Sequence, residues 1–209
     1  MMSSRSAATA RSRSASLRRR GPVLERAILD AALEQLSTVG WNGLTMEGVA
    51  AGAQTGKAAV YRRWPSKEDL VADALLAALP PFDEAADHGS AREDLYQLCR
   101  RVRDAMFSQP GFALRAVLHE CDPASAERFQ ELINSNFIEP SNRLLGQVVD
   151  RGIQRGDVRP DATGELVFQV IPALMMFRAK VCGSEWEDDE IAEMIDQIMV
   201  PMLRPPAAR

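Results

Sequence analysis

From Pro22 onward, apolar residues return at steps of three and four. Leu24, Ala27, Ile28, Ala31, Ala32, Leu36 and Val39 form the first such series, the mark of a helix with one buried face. Pro22 suits a first turn, where a missing N–H costs nothing, and Gly40 suits the stop. Trp41-Asn42-Gly43 reads as a tight connection. Thr45 is placed to cap a second short helix through its hydroxyl, with Met46, Val49, Ala50 and Ala53 on the apolar face. Gln54-Thr55-Gly56-Lys57 is too polar and too short to be a helix of its own, and a third helix is predicted over 56–64, ended by Pro65. Ser66-Lys67-Glu68-Asp69 carries a helix-start signature. Leu70, Val71, Ala74, Leu75 and Ala78 follow it, until Pro80-Pro81 stops the run.

The rest keeps the helical period. Helices are predicted over 92–107, over 111–121 and over 123–155 with an interruption near Pro140. Two more are predicted over 162–182, with a kink at the internal Pro172, and over 187–203. No alternating strand pattern of useful length and no internal repeat is present. The fold class expected is all-α: three or four small helices, then five or six longer ones.

Composition narrows the picture. With 209 residues the chain holds one or two domains, and 46% hydrophobic with 26% charged residues is ordinary globular usage. Cys99, Cys121 and Cys182 are scattered and lack CxxC spacing, so no disulfide scaffold is expected and a reducing, cytoplasmic setting is. The most apolar stretch, 166–177, is short and contains Gln169 and Pro172, so no membrane span is expected. Charge is uneven. Through Lys67 there are eleven Lys and Arg against four Asp and Glu; from Glu68 there are fourteen against twenty-five, which closes on the net −4. Such a split suggests a basic module that meets a polyanion, joined to an acidic body. Residues 1–20 are mostly Ser, Ala and Arg and carry no acid. That composition fits a transit peptide or a disordered basic arm. The arm, assigned to 1–21, is favoured because the following residues give it a role: Arg11, Arg13, Arg18, Arg19 and Arg20 can lie along phosphates or enter a narrow minor groove.

Two short helices joined by a tight turn, the second rich in Lys, Arg, Tyr and Trp, form a helix-turn-helix candidate over 45–64. The major groove admits one α-helix. Its reader needs small residues where backbone approaches DNA, here Gly56, Ala58 and Ala59, and cations or hydroxyls at phosphates. Lys57, Arg62, Arg63, Lys67 and Tyr61 supply those, and the helix start at Gly56 offers unpaired N–H groups. Val60 and Trp64 are spaced to hold this helix to Val49 and Ile28. The plain alternative is a solvated basic face on a small bundle.

At this point the sequence resembles a known family. The stretch 45–68, and above all Val60-Tyr61-Arg62-Arg63-Trp64-Pro65-Ser66-Lys67-Glu68, is similar to the N-terminal domain of the TetR family of bacterial one-component repressors. Ile28-Leu29-Asp30-Ala31-Ala32 and Gly40-Trp41 resemble that family's first helix. The resemblance covers 22–82. A weaker one covers 123–159, continues through Arg155-Gly156-Asp157-Val158-Arg159-Pro160-Asp161, and extends to the Pro172 helix; it looks like one common C-terminal domain of such regulators. The chain departs from the pattern at Gln54, where the family has Gly, at Thr55, at Gly56, and at Ala59, which lacks the usual hydroxyl. Gln tolerates φ > 0 poorly, so a strained turn is expected.

The resemblance implies an organisation and a site set. A DNA-binding domain spans 22–82, and a helical effector-binding and dimerisation domain spans 83–204. DNA would be met by Thr45, Met46, Gly56, Lys57, Ala58, Ala59, Tyr61, Arg62, Trp64 and Lys67. A homodimer would form through the last two helices, with Val167, Ile171, Leu174, Ile191, Ile195 and Ile198 at the interface. A small apolar effector would bind among Phe107, Phe112, Phe137, Phe168, Met175 and Met176. The expected partners are double-stranded DNA, a second copy and that effector, with no cofactor, metal or membrane. The function implied is a repressor that binds a palindromic operator as a dimer and is released by a small molecule. The alternative is an all-α ligand-binding or interaction protein with a degenerate helix-turn-helix. Catalysis is not expected. HExxH, GxSxG, Walker and GxGxxG motifs are absent, and His119 and Cys121, two apart on a helix, do not face each other.

Overall fold

The computed structural model describes residues 21–162, 164–182 and 185–204, so the arm before Gly21 lies outside the described residues. Among these, every regular element is helical. Helix α1 (Pro22–Gly43) buries Leu24, Ile28, Ala31, Ala32 and Leu36 from the predicted series. Gly40 does not stop it. The backbone breaks there into φ 70°, ψ −177° and coils through one more turn that carries Trp41 into the core. Glycine takes that φ readily, and a Cβ at this position would stand 2.8 Å from the Glu120 carboxylate. Helix α2 (Met46–Gly52) is capped as expected: the Thr45 hydroxyl accepts from the Gly48 N–H at 3.1 Å. Helix α3 (Lys57–Tyr61) is only five residues long, because the chain turns at Arg62-Arg63 before Trp64. Helix α4 (Lys67–Ala78) starts on Ser66, whose hydroxyl accepts from the Asp69 N–H at 3.1 Å.

Seven helices follow: α5 (Ala91–Phe107), α6 (Gln109–Glu120), α7 (Pro123–Ile133), α8 (Glu139–Arg155), α9 (Glu165–Phe177), α10 (Asp188–Met194) and α11 (Val200–Leu203). The interruption expected near Pro140 is a wide π turn, Asn134–Ile138, that passes α7 into α8. Proline gives no N–H to the carbonyl four residues back, and a π turn absorbs the gap. Pro201 stands just beyond a second such turn, Ile195–Met199, between α10 and α11. Helix α9 runs through Pro172 and ends in a third, Arg178–Cys182.

Two cores result. One joins α1 to α4 and takes in Ala113, Leu114 and Val117 of α6 and Phe129 of α7. Trp41 and Phe129 meet there edge to face, with centroids 5.4 Å apart. The other gathers α5, α8, α9 and α10 around Leu95, Cys99, Leu144, Val148, Ile191 and Ile195. Phe82, placed in the first domain by the sequence, belongs to this second core and lies 4.9 Å from Phe137, ring centroid to centroid. Asp94 ties α5 to α8. Its buried carboxylate accepts from the His88 backbone at 2.7 Å and from Arg155 at 3.0 Å.

Candidate nucleic-acid interface and ligand cavity

The turn over 53–56 folds α3 back against α2, and Ile28, Val49, Val60 and Trp64 pack in the first core. That anchoring divides the sides of α3. Ala59 and Val60 are buried, while Lys57, Ala58 and Tyr61, with Arg62 just past the end, are exposed. Thr45 and Gly56 are exposed beside them, and Lys67 is half-buried. Three of the residues expected at DNA have buried side chains. Met46, Ala59 and Trp64 are only 6%, 7% and 4% exposed, so their side chains are scaffold. The Trp64 indole N–H donates to the Asp73 carboxylate at 2.8 Å and fixes α4 against the reader.

The strained turn is present. Gln54 has φ 54° and is the non-glycine residue with positive φ among those described. A left-handed conformation costs an L-residue about 1–2 kcal/mol.

One residue on this face was not anticipated. Glu47 of α2 forms an ion pair with Lys57 of α3. The hydrogen bond from Lys57 holds the Glu47 carboxyl below its usual range, and the same contact raises Lys57. A carboxylate therefore sits among the cations that would meet DNA. The two are ten positions apart across a turn, a spacing with no helical meaning, so nothing in the residue pattern signals the pair. Lys67 is also engaged: its Nζ donates to the Trp41 carbonyl at 2.9 Å and lies 4.0 Å from that indole's centroid.

A cavity of about 260 Å³ lies among α5, α6, α8, α9 and the π turn after α7, and reaches Leu79 at the end of α4. Its walls are mainly apolar, with Leu98, Val102, Leu114, Ile133, Leu145 and Ile171 among them. Of the expected lining residues, Phe137, Met175 and Met176 are in place. Phe107, Phe112 and Phe168 are not. Phe107 and Phe112 meet edge to face at 6.0 Å, and Phe112 is 54% exposed. Phe168 packs on the second core. Aromatic character marks burial or contact, and does not say which of two cores a ring joins.

Four polar side chains, Arg115, Gln130, Ser141 and Asn142, share the cavity lining, which among the described residues contains no acid. The Arg115 guanidinium donates to the Met106 carbonyl and lies 4.4 Å from the Phe112 centroid. Among the described residues no carboxylate pairs with it. Burial lowers its pKa. The Ser141 hydroxyl is buried without a hydrogen-bond partner. Cys99 also lines the cavity, and burial pushes its thiol up to about 12, which leaves it protonated and a poor nucleophile.

Helix α6 connects cavity and reader. Leu114 belongs both to the first core and to the cavity wall. Glu120 accepts from the Asn42 N–H, Gln109 donates to Ser37 at 3.2 Å, and Arg128 of α7 pairs with Asp69 of α4.

The residues expected at a dimer surface divide by burial. Val167, Ile171, Ile191 and Ile195 are buried within one chain and pack in its second core. Leu174 is half-buried and Ile198 is exposed. On α9 and its π turn, Leu166, Phe177 and Val181 are 74%, 58% and 67% exposed. With half-buried Val170 and Leu174 they form one stripe at steps of four, four, three and four. Helix α9 is apolar nearly all round, so its period alone does not say which side faces inward.

No helix among the described residues is long and apolar enough to cross a membrane. Residues 28–74 match the sequence profile of bacterial regulatory proteins of the tetR family, and residues 85–198 match that of the tetracyclin repressor-like C-terminal domain. The chain is 28% identical over 183 residues to the HTH-type transcriptional regulator Rv1556 of Mycobacterium tuberculosis H37Rv, covering 86% of this chain and 87% of that one. It is 28% identical over 193 residues to the DNA-binding transcriptional repressor TetR of Mycobacteroides abscessus, covering 90% and 98%. Its fold is similar to that of NalD, the secondary repressor of the MexAB-OprM multidrug efflux pump in Pseudomonas aeruginosa. The TM-score is 0.64 at 21% identity, with 88% of this chain and 98% of that one covered.

Proposed function

The chain belongs to the TetR family of bacterial regulatory proteins, and on that premise we propose a repressor that holds a palindromic operator as a homodimer and releases it when a small molecule fills the cavity. The observation that carries this reading is the division of α3. One side is locked into the core by Val60, while the other presents Lys57, Ala58, Tyr61 and Arg62 outward. A small residue flanked by cations and a hydroxyl is what close approach to a groove requires. Lys67 takes a secondary place, since reaching a phosphate means loosening its bond to Trp41.

The stripe on α9 supplies the second half of the reading. A two-fold axis would lay Leu166, Phe177 and Val181 against the same patch of a second copy, joined by Ile198. Such a dimer reads two half-sites one helical turn apart, or a multiple of it. Release follows from α6. A molecule that enlarges the cavity presses on Leu114 and on Leu79 at the end of α4, and both helices hold the reader.

A gel-shift titration against the DNA flanking the protein's own coding region tests this. A saturable shift that weakens steeply with salt is expected. The strained Gln54 turn and the Glu47 carboxylate favour one competing reading, a ligand-binding protein with a degenerate reader. Failure to shift any flanking DNA at low salt would select it.

A further inference from the structure

The cavity has a chemical sign. Arg115 is its one cation, no acid lines it, and no carboxylate pairs with Arg115 among the described residues. One guanidinium hydrogen bond goes to the Met106 carbonyl, and the Phe107 and Phe112 rings flank the group. A backbone carbonyl and two ring faces satisfy part of a guanidinium. They do not supply the charge that its planar fork is shaped to meet. The Ser141 hydroxyl is a second unmet group on the same lining, buried and without a partner. Beyond these, the wall holds the neutral amides of Gln130 and Asn142 and the Cys99 thiol, and is otherwise aliphatic, thioether and aromatic. At about 260 Å³ the volume lies near the lower end of the range for small-molecule pockets.

We infer that the cavity takes a small molecule carrying one carboxylate on an apolar body, with Arg115 receiving the carboxylate and Ser141 available to a second polar atom. A carboxylate matches a guanidinium with two parallel, charge-assisted hydrogen bonds. It also removes the anomaly of a partly buried cation without a counter-ion. The apolar body fills the space between Leu98, Phe137, Ile171 and Met175. The inference rests on the effector-cavity reading above and makes that effector an anion, where an apolar lining alone would admit a neutral molecule or a cation.

The test is calorimetric titration of the full chain without DNA, so that a failed operator assay does not affect it. The probes are 4-phenylbutyrate and decanoate, which separate an aromatic from an aliphatic body. Each is compared with its neutral amide and with the amine of matching length. At least one carboxylate should bind about tenfold or more tightly than its amide, and the amines should bind least. Arg115→Gln should erase the preference for that carboxylate over its amide, and Arg115→Lys should keep part of it. Melting temperatures of both variants establish that they are folded. Amides or amines that bind as well as the carboxylates would overturn the inference. So would a preference that survives in Arg115→Gln, or a failure of both carboxylates to bind at millimolar concentration. Operator release by a neutral probe alone would leave the repressor reading standing and remove the anion.

Discussion

Glu120, the last residue of α6, accepts a hydrogen bond from the backbone N–H of Asn42 at 3.2 Å, beside the broken turn of α1 at Gly40. The same helix carries Arg115 at the cavity, so one rigid element touches both the ligand site and the end of the reader's first helix. Glu120→Ala should leave the fold intact, since an exposed bond of this kind contributes about 1 kcal/mol at most. It should raise the concentration of 4-phenylbutyrate needed to release operator by about 2–30-fold. Affinity of the DNA-free protein for the probe should stay the same. A release midpoint identical to wild type would remove this bond from the coupling.

On the proposed reading, Glu47 opposes DNA binding by holding Lys57 in an ion pair. Glu47→Gln should free Lys57 for phosphate, strengthen binding to operator and non-operator DNA alike, and steepen the salt dependence by about one unit. Titrations at several salt concentrations give the slope directly.

Gln54→Gly should stabilise the protein. Relief of the left-handed conformation outweighs the added chain entropy of glycine, for a net gain of about 0.5–1 kcal/mol. Gln54→Ala keeps the Cβ and should give no gain. Urea unfolding of the three proteins decides it.

Two substitutions separate the dimer face from the core. Phe177→Glu places a charge on the exposed stripe and should yield folded monomers by sedimentation. Ile195→Glu places one at a fully buried position and should unfold the C-terminal domain. A folded dimer from Phe177→Glu would reject the stripe as the interface.

Asp94 makes stability depend on acid. Burial opposes its ionisation, but the His88 backbone N–H and Arg155, with the His88 ring and Arg151, outweigh burial and hold its carboxyl below the usual range. The folded value is thus lower than the unfolded value of about 3.9. Its contribution is complete above that unfolded value and is lost as pH falls through the folded one. Asp94→Asn should therefore lose up to about 3 kcal/mol near neutrality and show a shallower fall in stability below pH 4.

Much of this architecture was legible in the chain because local rules and packing agree there. Thr45 and Ser66 cap as their positions suggest, and the series from Leu24 to Leu36 faces inward. The residues that misled are those with two possible duties. Trp64 and Met46 have types suited to a DNA face, yet the apolar period of their short segments draws them into the core. Ile191 and Ile195 lie on the apolar side of an amphipathic segment, and the period does not say whether that side meets its own chain or another. Arg115 gave no sign at all, since an unpaired cation becomes visible only when every carboxylate has been placed.

The cavity and the exposed stripe share helix α9. Ile171 and Met175 form its cavity wall, Leu166 and Phe177 stand outside, and Met176 is both part of the lining and 42% exposed. On the proposed reading, a guest that spreads this helix would alter the surface offered to a twin, so occupancy and pairing would be coupled, each changing the other's equilibrium by the same factor. The threshold at which such a regulator responds would then depend on how many copies a cell holds. Raising expression would move the entire dose–response curve without any change in sequence, which makes gene dosage part of the sensor's calibration.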